Sequence, residues 1–459
     1  MAPLLERAFG LAAAAVLVAS LALVAAAPAD ATTDRSVPVG ADVPNEYAFE
    51  GPHQPGVATV DGERYGTVQA AVDAADPGDT VRLAGRFREH VVVTTPNVTL
   101  ASQPDTLAVI DGGGEGDVLT IDADDVTVRR VWVRNSGYDT ADNDAGIWIN
   151  GSGVAVVDSR VSAVTFGIWV DGVEHALLAN NTIVGRESVY PVSNRGNAIQ
   201  LWKVEDSRVR GNRLTDVRDG IYYSWSTDVV ASNNTMWDLR YGVHYMYSDD
   251  CRLVNNLAFN NDVGYALMVS ERLVIRNNTA VNNTGTSGHG ILLKAVDHTD
   301  VIGNTLVDNE VGIYLYNSLD NQLTGNLVMD NDIGVYLAAG SVRERVVNNS
   351  FIGNGRPVQA VIGEQVAWNG SERGNYWSGA HPADVDHDGI NEVRYRPAGL
   401  VEHLLYEHPQ AAVFTHSPAF DAIRLAQSSF PVIESPGVVD HHPLARPPHE
   451  NWRRYLDRH

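Results

Sequence analysis

Cysteine is almost missing from this chain. Cys251 is the only one in 459 residues, so no internal disulfide can form and stability must come from packing. Lysine is nearly absent too. Lys203 and Lys294 are the only two, and almost all positive charge is carried by arginine. The formal charge is −24, from 33 basic and 57 acidic side chains. No basic patch or stripe stands out, which excludes a surface built to bind the phosphates of nucleic acid. An acidic, lysine-poor composition is that of a salt-adapted protein. No Walker motif is found, so the chain is expected to carry no ATPase of its own. After Pro28 no stretch is long and apolar enough to span a bilayer.

What is there begins with MAPLLERAFGLAAAAVLVASLALVAAAPAD, in which Arg7 precedes an apolar run from Ala8 to Pro28. Residues 1–29 read as an export signal cleaved near Ala27, or as an uncleaved anchor of similar length. An extended lead-in over 30–56 is expected next, and the mature chain is expected to work outside the cytoplasm.

The middle of the chain repeats. Related tetrapeptides start at Gly167, Ala198, Gly220, Gly242, Gly264, Gly290, Gly312 and Gly334, in steps of 31, 22, 22, 22, 26, 22 and 22. Fourteen residues after each start stands an asparagine: Asn181, Asn212, Asn234, Asn256, Asn278, Asn304, Asn326 and Asn348. The longer steps carry insertions at 187–195 and 283–288, expected to leave as loops from one edge. Alternating apolar residues in segments such as GIYLYN have period two, that of a strand. Strand, turn, strand, turn in about 22 residues gives an all-β, right-handed, single-stranded parallel β-helix, expected over 57–372. Equivalent side chains then stack about 4.8 Å apart. Asparagine suits such a column because its short amide both donates and accepts. A leucine-rich repeat would need a recurring LxxLxL, which is absent. An acidic, turn-rich segment (373–398) and a short helical and extended tail (399–459) complete the expected organisation.

If the residues one and three places after each glycine point inward, those two and four places after it point outward. One outward column reads Trp148, Trp169, Gln200, Tyr222, His244, Ala266, Leu292, Tyr314, Tyr336, and the next includes Trp202, Met246, Met268, Lys294 and Tyr316. So much apolar surface marks a site for a partner or an extended ligand, unless loops or the chain's own tail cover it. Met246 and Met268 share a column in adjacent coils, with His244 two residues away on the same face. Thioether and imidazole suit Cu(I). The blander reading is methionine filling a greasy contact. Cys251 reads as a small buried hydrophobe.

Asp384, Asp386 and Asp388 before Gly389 resemble half a calcium loop, but the twelfth position is Tyr395 rather than glutamate. A turn with solvated acids is the other reading. Ala419, Ile423, Ala426 and Phe430 outline a helix over 418–430, either a cap for the open end or a docking element. The histidines at 403, 408, 416, 441, 442 and 449 are scattered, as in an exposed tail. Acids near the face, including Asp171, Asp219, Asp249, Asp250 and Asp262, fall mostly at turns. They form no acid–base–arginine cluster in the columns, so no catalytic activity is expected.

Four stretches carry a resemblance: AVDAADPGDTVRLAGRFREHVVV (71–93), RYGVHYMYSDDC (240–251), GNYWSG (374–379) and SPAFDAIRLAQSSFPVIESPGVVDHHPL (417–444). The chain resembles the NosD family, exported copper-maturation factors of nitrous-oxide reductase within the carbohydrate-binding and sugar-hydrolase-like β-helices. The resemblance implies a place at the outer face of the cytoplasmic membrane, in the periplasm or an equivalent space. It implies work with an ABC-type permease and ATPase, a small copper-chaperone lipoprotein and nitrous-oxide reductase. Copper, as transient Cu(I), would be the cargo, with His244 and Met246 at matching positions. The matching tail favours docking to the permease over a plain cap. A surface polysaccharide-binding or polysaccharide-cleaving β-helix, holding sugar through Trp148, Trp169 and Trp202 without copper, is the alternative.

Overall fold

In a computed structural model, the residues described are 51–455 apart from 105–106, 381–382, 399–407, 415–416, 421 and 424–436. The N-terminal apolar run, most of the lead-in and most of the expected 418–430 helix lie outside them. Each coil gives one strand to each of three sheets, of 14, 13 and 12 strands. Pairing between coils is parallel and in register, as in Tyr223↔Tyr245, Leu253↔Ile275 and Ala258↔Ala280. This is the right-handed parallel β-helix expected from the repeat. Ile168, Ile199, Ile221, Val243, Tyr265, Ile291, Ile313 and Val335 fill one inward column, each at most 1% exposed. Each such side chain contributes about 1.5–3 kcal/mol of burial.

The N-terminal end is closed by a short helix, Val68–Asp73, whose Ala70 amide donates to Thr67 Oγ1 at 3.2 Å. It buries Val68, Ala71 and Val72. Six residues are too few to show helical periodicity, so the helix was not legible in the sequence. At the other end the stack continues past residue 372, with Tyr376–Trp377 pairing on Ser350–Ile352. A small sheet joins Gln365–Ala367, Gly437–Asp440 and Tyr395–Ala398 there.

The asparagine column forms a buried ladder. Asn234 donates to Asn256 Oδ1 from its backbone amide (3.0 Å) and from Nδ2 (2.9 Å), and Nδ2 also reaches the Val209 carbonyl at 2.9 Å. The same pattern links Asn181, Asn212, Asn234, Asn256, Asn278, Asn304 and Asn326. The next rung is not the expected Asn348. It is Asn349, whose Oδ1 accepts from the Asn326 amide at 2.9 Å. The coil after Gly334 is one residue longer: Leu315 pairs with Leu337, but the Ser318 amide donates to Ser341 Oγ, 23 residues on. Asn348 instead holds the left-handed position before the rung (φ 61°), like Asn233, Asn255, Gly303 and Gly325. Asparagine and glycine tolerate that conformation at least cost. The ladder then runs through Asn375 to Asp440, whose carboxylate accepts from the Asn375 amide at 2.7 Å.

A second ladder joins Asn261, Asn283, Asn309, Asn331 and Asn354 at the turn beside the glycine column. A third position ends on a glutamate. Glu344 is 5% exposed and accepts from the Asn321 amide at 3.1 Å. Burial pushes its carboxyl up to about 8.

Two outcomes follow. Asn349→Ala strands two buried donors of Asn326 and should cost about 2–4 kcal/mol, whereas Asn348→Gly should cost under about 1 kcal/mol; urea midpoints compare them, and equal losses would contradict the register. Glu344 binds its proton more tightly folded than unfolded, so stability should fall as pH rises from about 4.5 towards 8, by at most roughly 1.4 kcal/mol per unit. Glu344→Gln should remove that part of the slope; identical pH profiles would contradict it.

Candidate functional site

The outward columns lie on the 12-stranded sheet. In one of them Tyr222 pairs with His244, His244 with Ala266, and Ala266 with Leu292. In the other, Ser224 pairs with Met246, Met246 with Met268, and Met268 with Lys294. His244 and Met246 leave the same face of Tyr241–Met246, because Tyr245 between them turns inward onto Tyr223, rings 4.1 Å apart. The three tyrosines of the segment thus separate. Tyr241 stays by His244, Tyr245 is core, and Tyr247 turns outward to stack on exposed Trp225 at 4.5 Å.

The middle of this face is closed rather than open to solvent. His244 is 7% exposed, Met246 9%, Ala266 0% and Leu292 7%. Val263, Ala266 and Leu292 form a buried cluster apart from the main core, with Tyr241, Met268 and Tyr314 packed against it. Trp202 and Tyr316 are the exposed members of the expected partner face. Trp148 stacks on Trp169 at 5.0 Å, and Tyr314 on Tyr336 at 5.0 Å, so the aromatic residues fall into two separate stacks with the histidine between them. Tyr222 meets His244 edge-on at 4.6 Å.

Three charged side chains stand behind His244. Asp219 is fully buried and takes a two-pronged bond from Arg240, Nε to Oδ1 at 2.8 Å and Nη2 to Oδ2 at 2.5 Å. Arg218 Nε lies 3.8 Å from Oδ2. His244 Nδ1 is 3.1 Å from the same oxygen. Burial alone would raise the Asp219 carboxyl, but Arg240 and His244 hold it well below the usual carboxylate range. Burial also keeps the His244 imidazole below its ordinary value, outweighing the pull of Asp219. A neutral ring facing an ionised carboxylate must carry its proton on Nδ1. Nε2 is then a bare lone pair, and it is buried with no hydrogen-bond partner.

Buried ring nitrogens without a partner are rare enough to need a reason. The donor set suits a soft monovalent cation: one neutral imidazole nitrogen and, in the next column, two thioethers in register. The sequence columns brought together His244, Met246 and Met268 but missed the role of Asp219 with Arg218 and Arg240. The signal was RDG at 218–220 above RYG at 240–242, two arginines stacked in register that need a shared anion.

Cys251 is a free, fully buried thiol, and burial pushes it up to about 12. Asp384, Asp386 and Asp388 do converge, with oxygens within 4.8 Å of one another. Two of them are already used by the turn, since Asp386 accepts from the Asp388 amide at 3.2 Å and Asp388 from Ile390 at 2.8 Å. Among the described residues no helix is long and apolar enough to cross a membrane.

Fold and site define a parallel β-helical protein with an unpartnered imidazole nitrogen on the sheet face that also carries two methionines in register. Residues 180–381 match the family model described as NosD, periplasmic copper-binding protein. The chain is 35% identical over 381 residues to the probable ABC transporter binding protein NosD of Pseudomonas aeruginosa, covering 80% of this chain and 87% of that one. Against the protein of the same description from Stutzerimonas stutzeri it is 32% identical over 384 residues, covering 80% and 86%. The chain belongs to the NosD family. Among solved structures, PfbA, a surface adhesin of Streptococcus pneumoniae, aligns at 12% identity over 64% of this chain and 87% of that one (TM-score 0.45). A PL6 alginate lyase in complex with a trisaccharide aligns at 14% over 64% and 85% (TM-score 0.43).

Proposed function

We propose that this chain is an extracytoplasmic accessory protein that accepts and relays copper, as Cu(I), for assembly of the copper centre of nitrous-oxide reductase. The observation that carries the reading is the bare, buried Nε2 of His244 on the face that bears Met246 and Met268. The family's description as periplasmic copper-binding supports the cargo and the compartment. The relatives' description as ABC transporter binding proteins supports a membrane partner of permease and ATPase. A small copper-chaperone lipoprotein would load the chain, and the reductase would receive the metal.

The role is transfer rather than catalysis. Rigid, in-register strands fix the spacing of the ligands. Few and soft ligands hold Cu(I) loosely enough for a partner with more sulfur to take it. His244 and Met246 are nearly enclosed, so loading and release require this face to open. That opening is where an ATP-driven membrane partner would spend its energy.

An anaerobic Cu(I) titration of the full exported chain against a calibrated competing chelator, in high salt, tests the reading. Near-stoichiometric uptake should appear in the wild type and be lost in Met246→Ala/Met268→Ala and in His244→Gln. Uptake unchanged in these variants, or none in the wild type, would sink the site.

A further inference from the structure

Resting on that reading, we infer that Asp219 is a positioning residue of the copper site: it holds the His244 ring by Nδ1 and so leaves Nε2, on the far side of the ring, as the donor nitrogen on the face that bears Met246 and Met268. A purely structural ion pair would need only a carboxylate and its arginines. Arg240 already satisfies both Asp219 oxygens, and Arg218 adds a second positive charge at 3.8 Å. The carboxylate does not need a histidine. The same column position is filled by Ala266 and Leu292 in the next two coils, so the fold does not need one either.

A histidine there brings a buried nitrogen that nothing satisfies. Its ring cannot turn to bury that atom differently without losing Asp219. Tyr222 and Tyr241 meet the ring edge-on at 4.6 and 5.0 Å and leave it little room. Arg240 in turn lies over the Tyr241 ring at 4.4 Å, so arginine, carboxylate, imidazole and tyrosine form one braced unit. Metal-binding histidines are commonly fixed in this way, by a carboxylate on the nitrogen that does not bind. Asp219 sits one coil before His244, in register with Tyr241 three residues upstream of the histidine, so coil phase sets the contact.

The test reads the ring first and the metal second. Long-range proton–nitrogen spectra of the full metal-free chain with labelled histidine, with His244 assigned by its loss in His244→Gln, report which nitrogen holds the proton. Protonation at Nδ1 in the wild type is expected. Asp219→Asn should shift the ring towards the other tautomer and lower Cu(I) affinity by about 10–100-fold, with both methionines in place. A wild-type ring protonated at Nε2 at neutral pH overturns the inference. So does a folded Asp219→Asn chain that keeps both tautomer and affinity. If Asp219→Asn does not fold, the wild-type ring spectrum decides alone. A wild-type chain that takes up no Cu(I) counts against the functional reading, and the ring spectrum still judges the positioning claim.

Discussion

A buried asparagine that receives two hydrogen bonds from the coil before it cannot move without stranding both. That contact, repeated from Asn181 to Asn375 and ended on Asp440, fixes where each coil begins relative to the last. Every column on the three sheets inherits its phase. Met246 lies beside Met268, and Asp219 reaches His244, because the coils between them are all 22 residues long. A coil with one extra residue, as after Gly334, absorbs it in a turn so that the rung is still made. The ladder is thus what converts a loose sequence repeat into a surface with set distances.

On that frame the 12-stranded sheet presents the donor set. Its outward face carries a buried ion pair, a neutral histidine and two methionines where a solvated sheet would carry polar residues. Burying Asp219 is tolerable only because Arg240 meets it with two hydrogen bonds. The pair then supplies a fixed acceptor for His244 Nδ1. The exposed remainder of the region, Trp202, Trp225, Tyr247 and Tyr316, lies at the strand ends and turns rather than over the histidine.

The repeat, the strand pattern, the direction of the columns and the pairing of the methionines could all be read from the sequence, because a period of 22 aligns residues that the backbone then stacks. The failures have physical causes. Equal coils place a rung at Asn348, but one extra residue moves the ladder to Asn349. Whether the outward columns are open or covered is not legible, because alternation tells which way a side chain points, not what lies over it. Asp219 reads in the sequence only as an acid near a turn, because its closest partners, Arg240 and His244, come from the next coil. The six-residue helix at Val68–Asp73 was too short to leave a pattern.

The central claim is that copper sits on this chain between an imidazole and thioethers. X-ray absorption at the copper edge on the Cu(I)-loaded full chain addresses it most directly. A first shell of sulfur with one imidazole is expected, its sulfur part reduced in Met268→Ala and its imidazole signature gone in His244→Gln. A shell of nitrogen and oxygen only, or one the same in wild type and variants, would contradict it.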